Sequence, residues 1–224
     1  MEEKIKSINL DFVNAYLIIL RNEFILIDTG VSQHKERLEK ELINEGALPD
    51  KLKLVIITHG DADHTGNCAY LQKKYNVKIA MHPGDVLMAE KGIILNRKIR
   101  TLPAKIFVII RKIKRKITGT KLSFDSFKPD ILLNDNQSLK DYGFDATVYH
   151  LPGHTKGSIG ILTKEGNFFA GDIFFNRSKP AISYYIENET ELMNSVKKIT
   201  GMKINTIYPG HGKLFSSGLL DNIK

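Results

Sequence analysis

The chain has 224 residues, enough for one domain with a continuous core, and its 42% hydrophobic and 26% charged residues are those of an ordinary soluble globular protein. Nothing in it reaches the run of about 20 apolar residues that a membrane span needs, and the start MEEKIKSINL has no apolar stretch behind a basic one, so no secretory signal is expected. The single cysteine, Cys68, excludes an intramolecular disulfide framework and thiolate-rich zinc sites, and the composition is compatible with a cytoplasmic protein that binds metal through His and Asp.

In chain order, Lys4–Leu10, Val13–Leu20 and 24–28 read as consecutive strands, rich in Ile, Val, Leu and aromatics. Ser32 is placed to cap an amphipathic helix that runs to about Asn44. A continuous apolar strand at 52–58 has the pattern of one buried on both faces. A helix at 65–75, a strand at 77–81 and a short helix at 83–91 follow. After residue 130 come strands at 131–133, 145–151, 158–163 and 167–170, a helix at Glu189–Thr200 and a last strand at 204–208. Strands followed by a helix, twice over, predict two stacked sheets with helices outside, in a single domain over 1–224. Residues 91–130 read as an insertion between the halves.

Four ligand-type side chains fall within six residues in His59-Gly60-Asp61-Ala62-Asp63-His64, directly after the buried strand. On a helix they would diverge; on a loop leaving a strand, with small Gly60 and Ala62 between them, they can converge. Imidazole and carboxylate suit zinc, iron or manganese, and two of each exceed the needs of one tetrahedral ion. His154, Asp172 and His211 each follow a predicted strand and each is preceded by glycine, which lets the backbone turn sharply.

The ordered series Asp28-Thr29-Gly30, Thr58 to His64, Pro152-Gly153-His154-Thr155, Gly171-Asp172 and Gly210-His211-Gly212 resembles the metallo-β-lactamase superfamily. The resemblance implies an αββα four-layer sandwich of the α/β (α+β) class with two divalent metal ions at the sheet edges, zinc first, iron or manganese as alternatives. By the same resemblance His59, Asp61 and His154 hold one ion, Asp63, His64 and His211 the other, and Asp172 bridges. Asp28 matches an acid that orients ligand groups from behind. The implied activity is hydrolysis, by a metal-bridged hydroxide, of an ester, thioester or lactone of a small metabolite, with Asp63 and Asp172 as the catalytic carboxylates. A phosphodiesterase and a di-iron protein reducing oxygen or nitric oxide are the alternatives. The second would need a separate electron donor.

Two departures from the family pattern stand out. Asp61 replaces the commoner His, which makes the ligand set more anionic and shifts it toward harder ions such as Mn or Fe. Asp172 stands where the best-known zinc β-lactamases have cysteine, which argues against antibiotic hydrolysis. Among the remaining candidates, His82, Tyr184 and Tyr185 are placed to touch substrate. His150, His34 and Cys68 read as structural.

The net charge of +8 comes from one segment: eleven Lys/Arg and no acid lie between Lys91 and Phe124, against 22 basic and 25 acidic residues elsewhere. Within it Ile106, Ile109, Ile110, Ile113 and Ile117 recur at helical spacing, with Arg111, Lys112, Lys114, Arg115 and Lys116 crowding the C-terminal half. Such a helix can pack its apolar stripe on the domain, can cap the metal site and attract an anionic small-molecule substrate, or can dock through 97–118 on an anionic membrane surface. Its place between the halves favours a cap bordering the substrate entrance. The segment is too short for the long insertion of the family's nucleases, so nucleic acid is not an expected partner.

Overall fold

A computed structural model of the chain describes residues 4–118 and 123–223. Residues 1–3, 119–122 and 224 lie outside the described residues, and with them Lys121 and the two ends of the 1–224 domain reading. The side chains of Arg111, Lys114 and Arg115 lie outside as well.

The first half comprises β1 (Lys4–Leu10), β2 (Val13–Leu20), β3 (Glu23–Ile27), α1 (Lys35–Asn44), β4 (Leu52–Ile56), α2 (Ala62–Thr65), α3 (Cys68–Tyr75), β5 (Lys78–Met81) and α4 (Val86–Lys91). The basic segment supplies β6 (Lys98–Ile99) and α5 (Leu102–Thr118). Then follow β7 (Ile131–Leu132), β8 (Ala146–His150), β9 (Ile159–Thr163), β10 (Asn167–Asn176), β11 (Pro180–Ile182), β12 (Tyr185–Ile186), α6 (Glu189–Thr200), β13 (Thr206–Gly212) and β14 (Phe215–Ser216).

Strands β1-β2-β3-β4-β5-β7 form one six-stranded sheet, and β14-β13-β10-β9-β8, with β11 on β10, form the second. Between the sheets, Ile18, Ile25, Ile27, Leu54 and Ile56 meet Val148, Ile159, Ile161 and Phe169. Outside the first sheet, Leu38 and Leu42 of α1 and Leu71 and Tyr75 of α3 cover Leu17, Leu26, Leu52 and Val55. Outside the second, Leu192 and Ile199 of α6 cover Phe168, Ala170 and Ile207. The layers are therefore αββα. In β4, Leu52 and Val55 serve the outer core and Leu54 and Ile56 the inner one, which is why its sequence is apolar on both faces.

Two sequence expectations need correction. Ser32 caps no helix: a 3-10 turn at Ser32–His34 precedes α1, and the Ser32 hydroxyl donates to the Ser123 carbonyl at 3.1 Å. Strands β10 and β13 do not stop before their metal-type residues but run through Asp172 and His211. Gly171, at φ 50°, marks an irregularity in the β10–β13 pairing, and the apolar run Ile173, Phe174, Phe175 continues the strand beyond it. The sequence also hides β6, β12 and β14, each two residues long. The β6–β12 pair, Tyr185 opposite Ile99 and Ile186 opposite Lys98, ties the basic segment to the second half. Among the described residues no helix is long and apolar enough to cross a membrane.

Candidate metal centre

β3 and β4 run parallel, so their C-terminal ends deliver Asp28 and the His59 loop side by side. Asp28 sits in the left-handed region, φ 60°, which a short polar side chain tolerates. One Asp28 oxygen accepts from the Thr58 backbone N–H at 2.8 Å, and the other lies 2.8 Å from His64 Nδ1. The Thr58 hydroxyl donates to the same carboxylate and faces His59 Nδ1 at 3.0 Å. His154 reaches the site because Gly153, at φ 128°, lies where any Cβ would meet the Leu192 backbone at 2.2 Å. Gly210 is needed for closeness instead: a Cβ there would stand 2.3 Å from Asp172 Oδ1.

All four site imidazoles are oriented from behind through Nδ1. His59 has Thr58, His64 has Asp28, His154 has the Tyr185 carbonyl at 2.8 Å and Ser183 Oγ at 3.0 Å, and His211 has the Phe12 carbonyl. With the Nδ1 proton so used, each Nε2 lone pair is turned toward the site. The donor atoms gather into two groups, His59, His154, Asp172 and Asp63, His64, His211, each within 4.8 Å. Asp172 faces both: Oδ1 is 3.2 Å from His64 Nε2, while Oδ2 is 3.2 Å from His211 Nε2 and 3.8 Å from His154 Nε2.

This set fits a metal on its own chemistry. His59 Nε2, His64 Nε2 and Asp172 Oδ1 are buried without a hydrogen-bond partner, an expensive state for polar atoms. A lone pair on His64 Nε2 facing a carboxylate oxygen needs a cation between them, either a proton or a metal. Burial works against a charged His64, but the carboxylates of Asp28 and Asp172 outweigh it and hold its pKa well above the ordinary range. Burial opposes ionisation of Asp172 too, and His211 and His64 overcome it, so its pKa falls well below normal. Burial, followed by the nearby His64, lowers that of His59.

Asp61 departs from the implied arrangement. It stands at the first group, with Oδ2 3.2 Å from His154 Nε2 and 3.5 Å from His59 Nε2. Yet both its oxygens are taken by the Arg97 guanidinium: NH2 bonds Oδ1 at 2.5 Å and NH1 bonds Oδ2. The Arg97 side chain is 5% exposed and also reaches Glu187 at 3.4 Å. Burial disfavours a charged Asp61, but Arg97 and then His154 hold its pKa well below the usual carboxylate range. Arg97 therefore sets a cation against the added negative charge of Asp61. Asp61, Asp63 and Asp172 sum to −3, and Arg97, which Glu187 shares, sets one positive charge against Asp61.

Arg97 and Asp85 shape the site and were missed by sequence reasoning, as was Ser183 behind His154. Asp85 is buried and accepts from Gly60 N–H, Gly157 N–H and Thr155 Oγ1, each at 2.7 Å, stitching the His59 loop to the His154 loop. Nothing local marks it. For Arg97 a signal existed, a basic segment beside an acid where the pattern expects His.

Over the two groups lies a cleft of about 370 Å³, floored by Asp61, Asp63, Asp172 and His211 and walled by Ile94, Leu95, Val108, Phe175, Tyr184 and Tyr185, with Lys112 and Arg177 also lining it. Tyr184 and Tyr185 thus stand at the cleft. His82 is not among its lining residues: it stacks on His150 at 3.9 Å, and its Nδ1 accepts from Gly84 N–H. A larger cleft of about 720 Å³, lined by Ile19, Leu20, Arg21, Gly143 and Glu165 among others, includes no histidine. Cys68 is fully buried, and burial pushes its thiol pKa up.

An αββα sandwich with His and Asp groups at its sheet edges defines a class, and comparison with known proteins places the chain within it. The sequence profile of the metallo-beta-lactamase superfamily matches residues 8–211, and the chain belongs to that superfamily, most of whose members are metal-dependent hydrolases. It is 28% identical over 200 residues to the hydroxyacylglutathione hydrolase GloC of Haemophilus influenzae, covering 86% of this chain and 82% of that one. It is 27% identical over 214 residues to the beta-lactamase-like protein 2 homolog of Drosophila melanogaster, covering 93% of this chain but only 61% of the fly protein. To the human acyl-coenzyme A thioesterase MBLAC2 it is 22% identical, over 91% of this chain and 74% of that one. The crystal structure of TTHA1623 in a di-iron-bound form superposes with a TM-score of 0.71 at 23% identity, covering 96% of each chain.

Proposed function

We propose that the protein is a binuclear metal-dependent hydrolase acting on the acyl thioester or ester of a small anionic metabolite. The observation that carries this reading is the convergence of four Nε2 atoms and the Asp172 carboxylate, three of these atoms buried without hydrogen-bond partners, at a cleft that Asp63, Asp172 and His211 line. His59, His154 and Asp172 would hold one divalent ion and Asp63, His64 and His211 the other, with Asp172 shared. Asp61 stays within reach of the first ion while Arg97 matches its charge. Zinc suits the nitrogen-rich set best, with iron or manganese as alternatives. When bound, two such ions supply Lewis acidity and a water of lowered pKa.

The chain's own residues do the rest. Asp63 lines the cleft and is placed to orient the attacking water and take its proton. The walls of Ile94, Leu95, Phe175 and the two tyrosines exclude bulk water from the acyl carbon, while Lys112 and Arg177 favour an anionic leaving portion. The preference for a thioester draws on the similarity to the glutathione hydrolase and the acyl-coenzyme A thioesterase. The Arg97–Asp61 pair offsets part of the negative charge that would favour the di-iron redox alternative. Elemental analysis of purified protein, paired with thiol release from acyl-glutathione and acyl-coenzyme A esters and with bis-nitrophenyl phosphate, tests the proposal. About two ions per chain and faster thiol release are expected. One ion or fewer under ample metal, or turnover of the phosphodiester alone, would overturn it.

A further inference from the structure

Helix α5 packs on the domain by its narrow side. Ala104 and Val108 are 8% and 3% exposed. Leu102, Ile106, Ile109, Ile110, Ile113 and Ile117, which a turn of about 100° per residue brings onto a single stripe roughly opposite Ala104 and Val108, are 53–80% exposed. Of the three readings of this helix, the one in which the stripe packs on the domain is thereby overturned: six large aliphatic side chains face outward along one 17-residue helix. Lys105, Lys112 and Lys116, all exposed, fall along one border of that stripe, and the helix sequence holds six Lys/Arg and no acid. Scattered exposed leucines are ordinary on a protein surface; a contiguous aliphatic stripe edged by cations is not.

We propose that α5 docks on an anionic lipid surface, its isoleucine stripe entering the headgroup–acyl boundary and its lysines meeting lipid phosphates. Charge selects this occupant. A second copy of the chain would set two acid-free helices, each with six cations, face to face. A nucleic acid would satisfy the lysines but leave the aliphatic stripe of Leu102, Ile106, Ile109, Ile110, Ile113 and Ile117 in water. An anionic bilayer satisfies both halves of the helix at once. With its cations and 17 residues the helix lies on the surface and does not span it. Docking also fixes an orientation: Val108 and Lys112 of α5, with the partly exposed Ile94 and Leu95 just before it, line the cleft, so the cleft mouth opens beside the lipid.

The test is co-sedimentation of the full metal-loaded chain with phosphatidylcholine vesicles and with vesicles containing about 30% phosphatidylglycerol, at low and high salt, and needs no assumption about catalysis. Binding at least about tenfold tighter to the anionic vesicles, weakening as salt rises, is expected. The double substitution Ile109→Glu and Ile113→Glu should abolish it while leaving the melting temperature and metal content unchanged. Lys105→Gln with Lys116→Gln should reduce the preference for anionic lipid. No association at low salt, equal binding by the Ile→Glu variant, or a vesicle-independent dimer that the same variant dissolves would each overturn the proposal.

Discussion

The two donor groups are built from different material. Asp63, His64 and His211 are held by the sandwich itself: Asp28 at the end of β3 orients His64, and the Phe12 carbonyl before β2 orients His211. In the other group His59 rests on Thr58 and Asp28, but His154 and Asp61 lean on later parts of the chain. Tyr185 and Ser183 orient His154, and Arg97 from the basic segment takes both oxygens of Asp61. One side of the centre can thus form from the fold's core elements alone, whereas the other is complete only when the β6–β12 ribbon brings the segment home. Where a charged ligand-type residue replaces a neutral one, its compensation has to come from somewhere, and here a residue 36 positions along the chain supplies it.

Asp172 belongs to both groups, so Asp172→Ala should erase the distinction between them. Bound metal should fall from about two ions to less than one, and turnover by about a thousandfold or more, read by elemental analysis and thiol release. Retention of both ions would mean that the two groups do not share it.

Asp61→His separates the two sides. It supplies the family's commoner ligand, but it leaves the buried Arg97 guanidinium with Glu187 as its remaining carboxylate partner, at 3.4 Å. Urea unfolding of metal-free protein should show a loss of about 3 kcal/mol, the order expected when one partner of a buried ion pair is removed. Adding Arg97→Met should recover most of that loss, because the stranded charge goes with it. A single Asp61→His variant as stable as the parent would show that the pair is not what balances Asp61.

The smallest effect is expected on the framework side. Asp28→Asn keeps size and shape but can present an N–H to His64 Nδ1, which favours the wrong tautomer and turns a proton toward the metal. Affinity of the second ion should fall roughly 10- to 100-fold in a competition titration with a chromophoric chelator, the usual range for loss of an orienting partner. The first ion, whose His59 reaches Asp28 only through the Thr58 hydroxyl, should weaken less. Equal weakening of both ions would break the comparison.

What the sequence determined on its own was whatever is written in short patterns. The Ile-, Val- and Leu-rich runs of β1 and β2, the doubly buried β4, the helical α6 and the crowding of His59, Asp61, Asp63 and His64 into six residues are all local, and each is legible without the rest of the molecule. Glycines before His154, Asp172 and His211 marked the sites to watch, although they were misread as strand ends at β10 and β13. Two-residue strands such as β6 and β12 carry no period, so only tertiary pairing creates them. The isoleucine stripe of α5 was visible as a stripe, but a helical period gives no direction, and only packing through Ala104 and Val108 decided that it faces outward. Asp61 and Arg97 were each in plain view, yet no local pattern joins a loop after β4 to a cation before β6. Their pairing, and with it the charge of the centre, depends on chain closure over a long loop, which the tertiary fold alone supplies.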